Sequence, residues 1–243
     1  MAFVEGREMF KTIRNSTRFA LLLPEDGAAA AEAVLYLLPV RRGLANDWVR
    51  YTSIELWARK RNIAVVMPEG VSSDFCNMVH GMKWWDYLTE ELPEYLKTVF
   101  GLPDERCFCF GAEMGAIASA KLGLIFPEKF AAAGAVGADF GRISRYTLGE
   151  VSDHDMESVY GELPVADEIL ARGDLLRIAA ECQKAENLLF LNRSDNSVQQ
   201  IVQACALHTR WLSCCPTHSL RLQVSYGVTS LSAFAPSWLC SCG

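Results

Sequence analysis

One stretch of the sequence combines residue types and spacing that could carry out chemistry. It covers residues 107–120, CFCFGAEMGAIASA, in which an apolar run enters Gly111-Ala112-Glu113-Met114-Gly115 and an Ala-rich segment follows. This pattern predicts a strand, a tight turn and a helix, which is the context of the nucleophile elbow G-x-S-x-G. Small residues flank the centre of such a turn because the backbones come close there. The central residue here is Glu113 rather than Ser.

A carboxylate at that position changes the available chemistry. A Ser hydroxyl becomes a nucleophile when a His removes its proton. A Glu side chain is ordinarily ionised at neutral pH and has no such proton to give. The N-terminus of the helix that follows would favour its negative charge. The elbow therefore predicts a turn that presents Glu113 at a sheet edge without the usual attacking hydroxyl.

The elements that must position this turn are short apolar runs alternating with helical patterns. Continuous apolarity is typical of strands covered on both faces. The predicted strands are residues 18–24, 33–39, 63–68, 107–111, 130–137 and 175–182, and the predicted helices are residues 53–61, 83–100 (with Pro93 a candidate kink), 116–126 and 197–208. The order predicts the α/β class, with a mainly parallel central sheet and helices on both faces. The first strands are candidates for an antiparallel edge.

The composition narrows the function classes. Apolar residues make up 51% and charged residues 21% of the 243 residues, which predicts a filled core and excludes disorder. The net charge is −6 and no basic block occurs, so neither nucleic acid nor an anionic membrane is an expected partner. No apolar run reaches the roughly 18 residues of a bilayer span. The first residues also lack the order of a signal peptide, so we expect a cytoplasmic protein.

The nine cysteines do not predict a metal site. Their close pairs lack the C-x₂-C spacing of zinc ligands, and a cytoplasmic location would keep the thiols reduced. Cys107 and Cys109 lie in an apolar run, where Cys usually behaves as a small hydrophobic residue. His154 and His208 show no paired spacing and are interpreted as incidental. We expect no metal and no cofactor.

We expect one domain over residues 1–243, without an internal repeat or linker. Residues 140–172 form the least regular stretch, interpreted as an insertion over one end of the sheet. Residues 205–243 are divergent and poor in charge, with Arg210 and Arg221 their only Lys, Arg, Asp or Glu residues. Apolar residues from Val224 to Trp238 recur at helical spacing, so a terminal helix that contacts a second copy of the chain is one hypothesis, and sequence decay is another.

The motifs resemble those of the putative esterase family of α/β-hydrolases, which includes esterase D and S-formylglutathione hydrolase, and look closest to its small bacterial tributyrin-esterase-like branch. The resemblance covers the opening residues 1–26, the run DWVRYTSIELWARKRNIAVVMPEG, the stretch from Asp74-Phe75 to Trp85-Asp86, the elbow, and LGLIFPEKFAAAGAVGA. It weakens after Phe140. It implies an α/β-hydrolase fold and a Ser–His–Asp triad.

Mapped onto this chain, the triad is altered. Glu113 takes the Ser position, and Glu186 takes the acid position, which should follow the strand predicted over residues 175–182. His218, in Pro216-Thr217-His218-Ser219-Leu220, takes the base position. The family's His-Gly pair, which shapes the oxyanion hole, is replaced by Pro39 and Val40. The expected oxyanion donors are then the backbone N–H groups of Val40 and Met114.

Several further residues near this site are interpreted as structural or surface residues rather than as catalytic ones. The helical spacing of Trp84 predicts that it packs in the core. The alternative is that Trp84 and Trp85 line a pocket. Asp74 and His80 lie near the family's active-site loops but are expected to have surface roles. Ser119 is one turn into the helix after the elbow, so its hydroxyl is expected to face helix neighbours and not to act as a displaced nucleophile.

Loss of the nucleophile and of an oxyanion donor predicts a catalytically silent esterase homologue that binds a small acyl- or ester-like ligand or assembles as a homo-oligomer. If Glu113 has only a structural role, we expect its carboxylate to cap the helix and to pair with His218. The alternative is an active hydrolase, either a carboxylesterase for short-chain esters or a variant in which Glu113 is the nucleophile. In the latter, an alkyl ester formed on Glu113 would be cleaved by a water that His218 activates, as some α/β-hydrolases do with an elbow Asp.

Overall fold

The computed structural model describes residues 1–151 and 154–182, together with the backbone of one further strand at residues 188–191. Seven strands form one sheet in the order β1-β2-β4-β3-β5-β6-β7. The strands are β1 Ala2–Phe10, β2 Asn15–Leu23, β3 Val34–Leu38, β4 Ala64–Pro68, β5 Cys107–Ala112, β6 Phe130–Val136 and β7 Leu188–Leu191. Five of the six predicted strands, β2 to β6, are confirmed.

The sheet is antiparallel at one edge and parallel over the rest. β2 pairs antiparallel with both β1 and β4, whereas β4, β3, β5, β6 and β7 run parallel. This confirms the antiparallel edge and the mainly parallel sheet. β1 was not among the predicted strands because it has no continuous apolar run. Its residues alternate between exposed and half-buried, as expected for an edge strand.

The helices lie on both sides of this sheet. They are α1 Asp47–Tyr51, α2 Ile54–Lys60, α3 Trp84–Asp86, α4 Leu92–Phe100, α5 Met114–Ile125, α6 Arg142–Thr147, α7 His154–Tyr160, α8 Asp167–Gly173 and α9 Leu175–Glu181, and a short 3₁₀ helix spans Ala28–Ala30. A π-helical turn, Tyr87–Glu91, joins α3 to α4 and ends just before Pro93. Pro has no backbone N–H to continue the regular ladder, so the irregularity occurs where the sequence predicts a kink.

Alternate residues of each central strand supply the two halves of the core. Tyr36 and Cys109 face the side packed by α3, α4 and α5, whereas Leu35 and Phe108 face the side packed by α1 and α2. Every residue of β3 and β4 is buried as a result, which explains their unbroken apolarity. Cys107 and Cys109 are buried as expected, and burial raises the pKa of the Cys109 thiol to about 12.

Two expectations about the later part of the chain are wrong. Residues 175–182 form helix α9 rather than a strand, and the side chain of Asp174 begins the helix by accepting a 3.0 Å hydrogen bond from Leu176 N–H. A short apolar run fits a buried helix as well as a strand. Here the N-terminal cap supplied by Asp174 favours the helix. Residues 140–172 are also more regular than expected, since they contain α6, α7 and most of α8.

The strand order places two loops together. In the sheet, β3 lies between β4 and β5. The chain goes from β3 to β4 on one side of β3 and then crosses to β5 on its other side, so the strand order reverses at β3. Ligand sites in open α/β sheets form at such a reversal, outside the carboxyl ends of the strands. The loops that follow β3 and β5 meet there, bringing the segment after Leu38 beside Glu113.

No helix among residues 1–151 and 154–182 has the length and apolarity needed to cross a bilayer.

Candidate active site

The elbow is a tight turn between β5 and α5, with Glu113 at its apex. Glu113 has φ 51° and ψ −110°, a conformation that is unfavourable for a residue with a side chain. Its backbone N–H donates a 3.0 Å hydrogen bond to Val136 O, which ties the turn to β6. The geometry is that of the strand, turn and helix predicted from the sequence.

Both flanking glycines are required by close backbone contacts. A Cβ on Gly111 would lie 2.0 Å from Gly115 O, and a Cβ on Gly115 would lie 2.4 Å from Leu38 O. Neither position has room for a larger residue without moving backbone. The G-x-E-x-G spacing therefore has a steric cause, which is the packing of α5 against the end of β3.

The Glu113 carboxylate points to the loop after β3, where it binds Arg41. Its Oε2 accepts a 2.9 Å hydrogen bond from the Arg41 backbone N–H, and its Oε1 lies 3.6 Å from Arg41 Nε. The side chain makes no cap hydrogen bond to α5. The interpretation of Glu113 as a helix cap is therefore wrong, because the nearby loop offers both an amide and a guanidinium. The side chain remains 46% exposed.

Arg41 is the centre of an ion-pair cluster. Its guanidinium, 12% exposed, pairs closely with Asp74, which is 1% exposed. Its Nη1 lies 3.9 Å from Asp155 Oδ2, and the same carboxylate oxygen lies 3.1 Å from Nη2 of Arg42. Asp155 comes from α7, so this helix contributes a charged side chain to the cluster. The expected surface role of Asp74 is wrong, because its side chain is buried and its charge is stabilised by the pairing with Arg41.

A second polar chain continues inward from Asp74. Tyr160 donates a 3.1 Å hydrogen bond from its hydroxyl to Asp74 Oδ2, and the Cys76 thiol lies 3.9 Å from the same hydroxyl. Lys121 Nζ lies 3.5 Å from Cys76 Sγ. Burial of Tyr160, together with the negative charge of Asp74, raises its pKa well above its usual value. The elbow is thus connected to a buried lysine through a continuous set of contacts.

The predicted oxyanion residues lie at the turn, but a different amide contacts the carboxylate. Met114 is the first residue of α5, and Val40 follows the end of β3. The loop N–H that reaches Glu113 is that of Arg41, one residue beyond Val40. Sequence reasoning missed Arg41, although two adjacent arginines directly after a buried strand were a usable signal. The roles of Val40 and Met114 stay predictions.

Glu186 and His218 lie outside the described residues, as do His208 and the charge-poor segment 205–243. The assignment of Glu186 assumed that a strand precedes it. That segment is helix α9, and the next strand, β7, begins only at Leu188. β7 runs parallel to β6, with Leu191 opposite Val136. The carboxyl end of β7 therefore lies at the same sheet edge as Glu113.

The other expectations near the site have mixed outcomes. Trp84 is 3% exposed in the core, as expected, whereas Trp85 lines a cavity beside α5. His80 is exposed as expected. Ser119 is fully buried, and its hydroxyl has no partner among the described residues. Ser119 is thus remote from solvent, in line with its predicted lack of nucleophilic function.

The described residues contain no group of three or more His, Cys, Asp or Glu side chains that could hold a metal ion. The only histidine with a carboxylate within 4.0 Å in that part of the chain is His154, which is 92% exposed beside Glu157. Among the described residues, the elbow offers the Glu113 carboxylate and the Arg41 guanidinium, with the carboxylates of Asp74 and Asp155 beside them.

The sequence and the fold are similar to those of known esterases and serine hydrolases. The family model described as Putative esterase matches residues 11–204. The chain superposes on the fluorophosphonate-binding serine hydrolase FphF of Staphylococcus aureus with a TM-score of 0.70 and 26% identity, covering 85% of each chain. It superposes on the S-formylglutathione hydrolase FrmB of the same organism with a TM-score of 0.67 and 24% identity, again covering 85% of each.

Two curated proteins are also similar over part of their length. The MPT51 antigen of Mycobacterium leprae is 33% identical over 47% of this chain and 40% of its own. The acetyl esterase of Caldicellulosiruptor saccharolyticus is 24% identical over 54% of this chain and 53% of its own. The chain thus spans about half the length, or less, of these relatives. The family model covers most of the chain and the fold agrees with it, so the protein belongs to the Putative esterase family of α/β-hydrolases.

Proposed function

We propose that this chain is a catalytically silent member of its esterase family, in which Glu113 occupies the nucleophile position. One observation carries the proposal. The Glu113 carboxylate itself accepts the 2.9 Å hydrogen bond from the Arg41 N–H, at the loop from which the family draws an oxyanion donor. A resident carboxylate is therefore bound to the residue that follows Val40, whose own N–H is the expected oxyanion donor, and a negative charge already stands beside that donor.

The electrostatics of the elbow support the same conclusion. A second negative charge forming on a substrate oxygen would lie next to the Glu113 carboxylate and would be disfavoured by it. The Arg41 guanidinium offsets this only in part, because its charge is shared with Asp74 and Asp155, although its Nε and Nη1 have no hydrogen-bond partner among the described residues. Removing a triad nucleophile lowers the rate by several orders of magnitude. Loss of one oxyanion donor, measured by itself, lowers the rate by about 10²–10³.

We also propose a different acid position. The family's acid follows a strand, and the strand at this edge is β7, which ends at Leu191. The first acidic residue after it in the sequence is Asp195, whereas Glu186 precedes the strand. Asp195 is therefore a better candidate than Glu186. With His218 as the base position, the chain would retain two triad groups and lack the nucleophile.

The function left to such a site is binding. The elbow faces solvent through a half-exposed Glu113, and its loops come from three parts of the chain. A small acyl- or ester-like ligand is the class that the relatives' names favour, since they include an acetyl esterase and a serine hydrolase. Assembly with a second copy of the chain is a separate proposal, based on the charge-poor residues 205–243.

The second candidate function is an active hydrolase, because the same exposure leaves Glu113 reachable by a substrate. It would act either as a carboxylesterase on short-chain esters or with Glu113 as a nucleophile toward an alkyl carbon. Against the latter, both carboxylate oxygens contact Arg41. An ion-paired carboxylate is a weaker nucleophile than a free one.

Hydrolysis of p-nitrophenyl acetate and butyrate by highly purified protein separates the two functions. We expect no turnover above a heat-denatured sample. Turnover that disappears in His218→Ala would overturn the silent assignment. For the nucleophile variant, mass spectrometry of the peptide containing Glu113, after incubation with substrate, would show a covalent adduct.

A further inference from the structure

A cavity of about 540 Å³ lies beside α5, away from the elbow. Lys121 lines it and is 2% exposed. Lys121 follows Glu113 by eight residues along the helix, which is about 12 Å along its axis. The cavity is within the size range of small-molecule sites, and it combines an apolar lining with one buried cation.

The Lys121 ammonium forms no ion pair with a carboxylate of the described residues. Nζ lies 4.3 Å from the centre of the Trp85 ring and 3.5 Å from Cys76 Sγ. Both of these groups line the same cavity. No carboxylate oxygen of the described residues lies within 4.0 Å of Nζ. An aromatic face and a thiol offset only part of the cost of burying an ammonium, which is normally met by a paired charge.

We propose that this cavity binds a small organic monoanion with an apolar body, such as a short-chain carboxylate. The carboxylate would accept hydrogen bonds from Lys121 Nζ, which has donors left after its contact with Cys76. The body would lie against the Trp85 ring and the aliphatic lining. That lining is supplied by Leu124, Ile125, Val159, Ile169 and Ile178.

The remaining charged residues of the cavity restrict the ligand to a single negative charge. Asp86, Glu90 and Glu181 also line it, and of these Glu90 and Glu181 are exposed at the rim. The Asp86 carboxylate already accepts a 2.6 Å hydrogen bond from the Asn77 amide. Exposed Arg172 is the other cation of the lining. Three carboxylates around the cavity disfavour a phosphate monoester or a dicarboxylate more strongly than a ligand with one negative charge.

This site does not depend on whether the elbow is catalytically silent. Its cation, aromatic face and apolar lining come from α3, α5, α7, α8 and α9 together with the Cys76 loop, and it uses neither Glu113 nor Arg41. The contacts from Lys121 through Cys76 and Tyr160 to Asp74 join the two sites structurally. A butyrate titration measures binding at this cavity and not activity at the elbow, so its failure would leave the elbow proposal unchanged.

The test is a ligand-observed NMR titration of the full chain with sodium butyrate and, separately, with butyramide, at constant ionic strength. Butyramide has nearly the same shape and no charge. Three proteins are compared: wild type, Lys121→Met and Lys60→Met. Lys60 is a matched control, because its Nζ lies 5.0 Å from the Trp57 ring on the exposed surface of α2.

In the wild type we expect butyrate to bind at least about tenfold more tightly than butyramide. Lys121→Met should reduce butyrate affinity by about tenfold to a hundredfold and leave butyramide binding within about twofold. Lys60→Met should behave as wild type. Equal affinities for butyrate and butyramide in the wild type would overturn the proposal, and so would butyrate binding that Lys121→Met leaves unchanged. The wild-type comparison decides the matter if Lys121→Met does not fold.

Discussion

The backbone N–H of Arg41 donates a 2.9 Å hydrogen bond to Oε2 of Glu113, across 72 residues of sequence. The contact joins the loop after β3 to the turn after β5 at the point where the strand order of the sheet reverses. Under the proposed function, this carboxylate stands close to the position where the family's reaction would generate a transient oxyanion.

Restoring the hydroxyl should not by itself restore an esterase. We expect Glu113→Ser to hydrolyse p-nitrophenyl butyrate with a kcat/KM below about 10² M⁻¹s⁻¹, well under the roughly 10⁴ M⁻¹s⁻¹ at the low end of ordinary enzymes. The reason is the loop of Pro39 and Val40, whose neighbour Arg41 stays fixed by Asp74. Glu113→Gln is the control for background hydrolysis. Rates in the ordinary enzyme range would show that this loop still forms a competent oxyanion hole.

The buried ion pair should be important for stability. Asp74→Ala leaves the Arg41 guanidinium without its closest partner, and we expect a loss of about 3–5 kcal/mol in the free energy of unfolding. Asp104→Ala is the matched control, since it removes the exposed pair with Lys97 and should have no measurable effect. Urea unfolding followed by tryptophan fluorescence measures both. Equal effects of the two substitutions would contradict the importance of burial.

A pH-dependent contribution should come from Glu91. Its carboxylate accepts hydrogen bonds from Lys11 N–H at 2.7 Å and from Thr12 N–H at 2.8 Å, and Thr12 Oγ1 donates a third. Partial burial raises the pKa of Glu91, but these hydrogen bonds outweigh it and the net pKa is lowered. Because the folded pKa lies below the unfolded value, this stabilisation is present above about pH 4.5 and is lost as the pH falls through the folded pKa.

Glu91→Gln should therefore reduce the free energy of unfolding by about 1–3 kcal/mol at pH 7, with a smaller difference from wild type in acid. Unfolding in urea at several pH values from 7 to 3 measures this. Glu94→Gln, at an exposed position on α4, is the control and should follow the wild type throughout. A difference between Glu91→Gln and wild type that does not change with pH would exclude the ionised carboxylate as its cause.

Self-association is expected from the charge-poor residues 205–243. Light scattering at micromolar concentration should give a mass above that of one chain, 27.0 kDa. Leu231→Lys places a charge on the predicted apolar face and should shift the mass toward the monomer. Thr229→Lys adds the same charge on the opposite predicted face and should leave the mass unchanged. A monomeric wild type would argue against an assembly role.

The sequence by itself determined the elbow and five of the seven described strands of the sheet. Continuous apolarity located β2 to β6, because strands covered on both faces have no polar alternate position, and the glycine spacing located the turn at Glu113. The family resemblance followed from the same segments. The sequence failed at residues 175–182, because a short apolar run does not distinguish a buried helix from a strand, and this error carried over to the placement of the acid.

Only the tertiary structure decided what Glu113 and Lys121 contact. Glu113 could have capped α5, but the loop after β3 offers an amide and a guanidinium within its reach, and those partners are 72 residues away in sequence. Lys121 lies in a helix pattern that reveals nothing about its surroundings. Its burial against Trp85 and Cys76 depends on how three separate segments pack together. Local pattern fixes the type of an element, whereas the partners of a charged side chain depend on long-range packing.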